Sequence, residues 1–100
     1  MKTIAQVSAI IESCRNSSEQ RWEMAIETDD SDRNFAEDMD ECMQAYDDAI
    51  EALDDAYEGY VEAAQTALER AAAAERVGGD DQDAKRAMAA LETLDPEAEC

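Results

Sequence analysis

The side chains with the greatest chemical capacity in this chain are carboxylates set in adjacent pairs. Asp40–Glu41, Asp47–Asp48 and Asp54–Asp55 recur every seven residues, with Glu37, Glu51 and Glu58 in step with them and Glu62 following. Such pairs can divide into a general acid and a general base, chelate a cation, or present a surface of negative charge. The first use needs surroundings that push the two acidities apart, and a solvated helix face does not do so. The chain also has no histidine. That removes the commonest general base, the commonest zinc ligand, the ExxH di-iron pattern and every Ser-His or Cys-His nucleophile pair. Glycine occurs only at 59, 78 and 79, which leaves no phosphate-cradling loop. The sequence therefore predicts a protein that is not an enzyme, with no catalytic residue, cofactor site or metal site assigned.

One cation motif needs weighing. Asp30, Asp32, Asn34 and Glu41 fall at the first, third, fifth and twelfth positions of an EF-hand-type calcium loop. The sixth position, which needs glycine for its sharp turn, is Phe35, and the eighth is Glu37. Phe35 also suits the seam of a helix, which a calcium loop would destroy. The stretch is read as a polar helix start, and weak cation binding by these four residues is left open.

The elements that must position the acid pairs follow from the same period. From Arg33 to Ala74 the chain divides into six seven-residue units: RNFAEDM, DECMQAY, DDAIEAL, DDAYEGY, VEAAQTA and LERAAAA. With the first position of each labelled b, the d and a positions hold Phe35, Met39, Cys42, Tyr46, Ala49, Leu53, Ala56, Tyr60, Ala63 and Ala67. Position e adds Ala36, Met43, Ile50, Tyr57, Ala64 and Ala71. A seven-residue period with apolar a and d predicts one long helix whose seam faces other helices. The breadth of that seam suits a globular bundle better than a two-stranded coil. The acid pairs fall on the opposite face.

The long helix is expected over about 32–77, roughly 65–70 Å if unbroken, with Gly59 as its one internal weak point and a site for a bend. Ile4, Val7, Ile10, Ile11 and Cys14 predict a first helix over about 3–16. Ser17 followed by Gln20 resembles a capping box and predicts a second over 18–27, presenting Trp22, Ala25 and Ile26. TDDSD (28–32) reads as a capping turn, and Gly78–Gly79 as a stop. Asp80 or Asp81 can cap a last helix over 81–94, ahead of a tail at 95–100. The expected fold is all-α: a single domain over residues 1–100, a small helical bundle built on the long helix and covered by shorter N- and C-terminal helices. Because the long helix outreaches its covers, leftover seam would favour a homodimer.

Composition narrows the function. The chain has 100 residues and a net charge of −19, from 27 acids against eight bases. Residues 1–26 are neutral, whereas residues 27–62 hold fifteen acids and only Arg33. Such a surface repels nucleic acid and anionic membranes and attracts basic partners. No apolar run approaches the ~20 residues of a membrane helix. Cys14, Cys42 and Cys100 form no CxxC and no signal peptide is evident, which predicts a cytoplasmic location.

An acidic helix face is ordinarily a solubility device, and three observations argue for more. A solubility face mixes charges to gain ~0.2–0.5 kcal/mol per opposite pair at i,i+4. This one sets like charges at that spacing: Glu37–Glu41, Asp47–Glu51, Glu51–Asp55, Asp54–Glu58 and Glu58–Glu62. Aspartate is a poor residue for a helix interior, yet it fills five of the paired positions. The charge is also local, whereas salt adaptation would acidify every surface. As a continuous rod the segment would carry about one charge per 3.9 Å, close to the ~3.4 Å of one B-DNA strand.

A small cytosolic helical chain with a concentrated Asp/Glu stripe resembles phage-encoded counter-defence proteins, the anti-CRISPR and anti-restriction inhibitors that mimic nucleic acid. The segments carrying the resemblance are DDSD (29–32), EDMDE (37–41), DDAIE (47–51) and DDAYE (54–58). It is a likeness of character over about a third of the chain, and no family site is transferred. It implies a CRISPR surveillance complex or another host nucleic-acid-binding enzyme as target, in the host cytoplasm. The function expected is a non-enzymatic inhibitor whose acidic face occupies the nucleic-acid site of a basic protein, with no direct binding of nucleic acid. Its partner-binding residues are Glu37, Asp40, Glu41, Asp47, Asp48, Glu51, Asp54, Asp55, Glu58 and Glu62. The alternative is an acidic coiled-coil adaptor or structural subunit that binds through its apolar seam.

Overall fold

The computed structural model describes residues 2–28, 33–55, 58–77 and 80–95, without the side chains of residues 26, 28 and 33–35. These residues form four helices: α1 (Ile4–Thr28), α2 (Arg33–Asp55), α3 (Tyr60–Val77) and α4 (Gln82–Glu92). Each packs on two others in a ring, α1 on α2 and α4, and α3 on α2 and α4. Cross-helix contacts show that neighbours run antiparallel. Arg15 meets Asp47 while Ser18 meets Cys42, and Asp48 meets Arg70 while Cys42 meets Glu75. The chain is thus all-α.

α1 is one helix where the sequence predicts two. Thr3 caps it through a reciprocal box, its Oγ1 accepting from the Gln6 amide at 3.2 Å while Gln6 Oε1 accepts from the Thr3 amide at 2.9 Å. Ser17 and Gln20 have the same spacing, but the helix runs through them. The buried stripe Val7, Ile11, Cys14, Ser18 and Trp22 stays on one face across the expected break. Packing of that whole stripe on α2 and α4 outweighs a local capping preference.

The expected helix over 32–77 is divided. α2 ends at Asp55, Glu58 and Gly59 form a turn, and α3 folds back along α2. Gly59 has φ 80°, a left-handed conformation that costs an L-residue roughly 1–2 kcal/mol. The first α3 bond follows directly, from the Ala63 amide to the Gly59 carbonyl at 3.0 Å. The longest dimension is 48 Å, well short of the rod. Folding back lets the alanines of α3 cover the α2 seam within one chain. A β-carbon at 59 would meet nothing within 4 Å, so the cost of Gly59→Ala is conformational alone. That variant should lose roughly 1–2 kcal/mol, read as a thermal midpoint lower by about 5–10 °C with helicity retained.

The α2 part of the seam is buried as expected. Cys42, Tyr46, Ala49 and Leu53 are 0% exposed, and Met43 is buried beside them. Met39, Ile50 and Tyr60 are half-buried, whereas Ala36 and Ala63 are exposed. Phe35, Ala56, Tyr57 and Ile26 lie outside the described side chains, as do the turn at 29–32, Gly78–Gly79 and the tail from 96. Beyond the turn, Ala64, Ala67 and Ala71 of the expected seam are buried and Ala63 is not, while Leu68, Ala72, Ala74 and Glu75 are buried although the seam did not include them. The homodimer expectation rested on leftover seam; among the described residues Cys42, Tyr46, Ala49 and Leu53 are covered within the chain, while Ala36 and Ala63 remain exposed.

α4 ends at Glu92, two residues earlier than expected. Asp81 stands at its N-cap without a side-chain cap bond, holding Arg76 at 2.9 Å and Lys85 at 3.4 Å instead, while Asp80 Oδ1 accepts from the Gln82 amide. These cations hold the Asp81 carboxyl below its usual range although desolvation, the largest single influence, opposes them. Lys2, ahead of α1, and Leu94, after α4, meet in a short parallel bridge. The Lys2 amide donates to the Thr93 carbonyl and the Asp95 amide to the Lys2 carbonyl, both at 3.0 Å.

Candidate partner-binding face

The outward side of α2 carries most of the residues expected to bind a partner. Glu37, Asp40, Glu41, Asp47, Glu51, Asp54 and Asp55 are exposed and Asp48 is half-buried. Glu58 lies in the turn and Glu62 in the first turn of α3, both exposed. The ten therefore do not share one axis. The row from Glu37 to Asp55 spans roughly 27 Å. The i,i+4 repulsions expected for Asp54–Glu58 and Glu58–Glu62 fall across the break, while Glu37–Glu41, Asp47–Glu51 and Glu51–Asp55 stand on continuous helix. Asp30 and Asp32 of the cation motif lie outside the described residues. No group of three or more acids or cysteines among those described could hold a metal ion.

Among the described side chains, bases hold two of the ten. Arg15 Nε reaches Asp47 Oδ1 at 2.8 Å, and Arg70 Nη1 reaches Asp48 Oδ2 at 3.2 Å. Both pairs are solvent-exposed, worth ~0.2–1 kcal/mol each, and they tie α2 to its flanking helices. Arg21, Arg76, Lys85 and Arg86 are paired elsewhere, with Glu75, Asp80, Asp81 and Asp83. Among the described residues the other eight acids have no cationic partner. The helix dipole opposes them too: Asp54 and Asp55 close α2, whose last turn contains no base. Negative charge at a helix C-terminus is unfavourable, by typically 0.3–1 kcal/mol. Beside them, Ala52, Asp55, Glu58, Gly59, Tyr60 and Ala63 line an open recess of about 140 Å³ at the hairpin tip.

The face is held from beneath by a residue that sequence reasoning missed. Glu75 of α3 is 1% exposed. Its Oε2 accepts hydroxyl bonds from Ser18 at 2.5 Å and Tyr46 at 2.6 Å, and its Oε1 accepts the Ala84 amide at 3.1 Å. One carboxylate thus joins all four helices. Arg21 Nη2 lies 3.8 Å away and Cys42 Sγ 3.8 Å away. Arg21 also forks onto Asp83, at 2.6 and 3.0 Å. Burial opposes the Arg21 charge, but the bond to Asp83 and the charges of Asp83, Glu75 and Asp80 raise its pKa above the usual value. Every buried side-chain nitrogen and oxygen among the described residues is hydrogen-bonded. The sequence signal for this register was Leu68, a large apolar residue at the outward b position of the continued heptad.

No protein-family model matches the chain, and no curated protein or solved structure does either. No described helix is long and apolar enough to cross a membrane.

The hub also makes a prediction about alkali. Burial, reinforced by the neighbouring Glu75 charge and partly offset by Ser18, pushes the Cys42 thiol from 9.0 up to about 11. Burial and the bond to Glu75 raise the Tyr46 phenol as well. A raised pKa on an acid means that the folded state holds the proton more tightly than the unfolded one. The stabilisation is complete below pH ~9 and is lost as pH rises toward ~11, by on the order of 2–3 kcal/mol for Cys42. Thermal midpoints should therefore fall across that window, with a smaller fall in Cys42→Ala. A flat profile in the unaltered protein would contradict the assignment.

Proposed function

We propose that the protein is a non-enzymatic inhibitor whose outward α2 face occupies the nucleic-acid-binding site of a basic partner. The observation that carries this reading is the placement of the positive charge. Among the described side chains only Arg15 and Arg70 pair with α2, at Asp47 and Asp48, while Arg21, Arg76, Lys85 and Arg86 are paired elsewhere, which leaves most of the α2 acids without a described cation. Nine acids and one base over 23 residues give about one net charge per 4 Å of axis, still near the spacing of a nucleic-acid strand. Self-repulsion on α2 and the acids at its C-terminus make the face costly for stability, which favours a use outside the fold.

The resemblance to phage counter-defence inhibitors suggests a CRISPR surveillance complex, or another host enzyme that grips DNA or RNA, as the partner. The chain would then act in the host cytoplasm. The adaptor reading is less favoured, because it needs access to Cys42, Tyr46, Ala49 and Leu53, and all four are 0% exposed. The two readings separate on binding. Leu53→Ala leaves the acidic face in place and should leave affinity for the partner unchanged wherever the variant stays folded. Loss of binding in a folded Leu53→Ala chain would favour the seam.

A further inference from the structure

The position of the α2 face depends on how the helices are staggered, and the apolar core defines that stagger weakly. Among the described residues, ten of the 21 buried apolar ones are alanine. Toward its neighbours α3 presents Ala64, Ala67, Leu68, Ala71, Ala72 and Ala74, and α4 presents Ala84, Ala87, Ala90 and Leu91. Sliding α3 by one turn, ~5.4 Å, puts Ala67 where Ala71 was, Leu68 where Ala72 was and Ala64 where Leu68 was. Leu68 opposes that move, but it is the one large apolar side chain α3 buries, and the single-methyl knobs around it discriminate little between such arrangements.

Glu75 does discriminate. Its two oxygens take bonds from Ser18 on α1, Tyr46 on α2 and the Ala84 amide of α4. A slide of one turn would part the carboxylate from all three donors and leave a buried charge without them, an arrangement proteins avoid. We propose that Glu75 is the register lock of this bundle: one buried carboxylate that selects a single stagger among several that the alanine core tolerates. The proposal concerns the fold and stands apart from the inhibitory reading.

The test replaces the whole hub by apolar groups, combining Glu75→Met, Tyr46→Phe and Ser18→Ala. Apolar replacement of a buried polar hub is often neutral or stabilising, so stability and register can be separated. The Ala84 amide alone loses its acceptor, so the expected result is a folded chain whose thermal midpoint lies below that of the unaltered chain and above that of Glu75→Ala. With it, amide NMR spectra should show extra or broadened peaks for residues of α2 and α3 such as Ala49 and Ala71. Glu75→Gln, which keeps the shape and lets the hydroxyls turn, should give one sharp set. A triple variant with a single sharp set and unaltered interhelical contacts would overturn the proposal. So would an unfolded triple variant, since the hub would then supply stability and not register. Multiple sets in Glu75→Gln would also overturn it.

Discussion

Glu75→Ala is expected to cost the fold on the order of 3–5 kcal/mol. Truncation removes the acceptor of the Ser18 and Tyr46 hydroxyls and of the Ala84 amide, all in the buried centre of the bundle. Each donor left unsatisfied there costs ~1–3 kcal/mol. Arg21 keeps Asp83 and Asp80, so its charge is not stranded. A domain of this size holds only ~5–15 kcal/mol of net stability. The thermal midpoint, followed by far-ultraviolet circular dichroism, should therefore fall by about 15 °C or more. Glu69→Ala, on the exposed side of the same helix, serves as the control and should stay within ~0.5 kcal/mol of the unaltered chain. Equal effects at the two positions would remove Glu75 from the centre of the account.

The second large effect concerns the α2 face. Reversing Asp40, Glu41, Asp54 and Asp55 to lysine changes carboxylates that make no described ion pair, and it spares the interhelix ties of Asp47 and Asp48. Stability should rise. Glu37 gains an opposite charge at i,i+4 in place of a like one, Glu51 does the same, and the α2 C-terminus acquires the cations its dipole favours. After allowance for solvent screening the gain is roughly 1–2 kcal/mol, seen as a midpoint higher by about 5–10 °C. Affinity for a basic partner should move the other way, falling at least ~100-fold as attraction becomes repulsion. Opposite signs for stability and binding are the signature of a surface maintained for a partner. If the variant lost stability and kept its binding, the face would be structural.

Much of α2 could be read from sequence because its seam contains large residues. Tyr46 and Leu53 leave little freedom of phase, and the acid pairs opposite them fall on the outward side. The failures have local causes. Thr3–Gln6 and Ser17–Gln20 are equivalent capping patterns, and only the course of the buried stripe past Ser18 shows which one begins a helix. Gly59 reads equally as a tolerated helix interior or as a left-handed turn. The choice depends on whether α3 gains more by covering α2 than by extending it. Leu68, placed outward by an unbroken heptad, was the available sign that it folds back. Glu75 carried no sign of its own. An acid among alanines reads as solvated until Ser18, Tyr46 and the Ala84 amide are seen to converge on it.

The central claim, that the α2 carboxylates take the place of nucleic acid, is tested most directly by competition. A basic nucleic-acid-binding protein captured by the chain would be loaded with labelled duplex and challenged with the unaltered chain and with the lysine quadruple variant, at ~50 and ~200 mM salt. The account predicts displacement by the unaltered chain that weakens steeply as salt rises, and none by the variant. Equal displacement by both chains, or a captured protein that holds its duplex and this chain together, would contradict it.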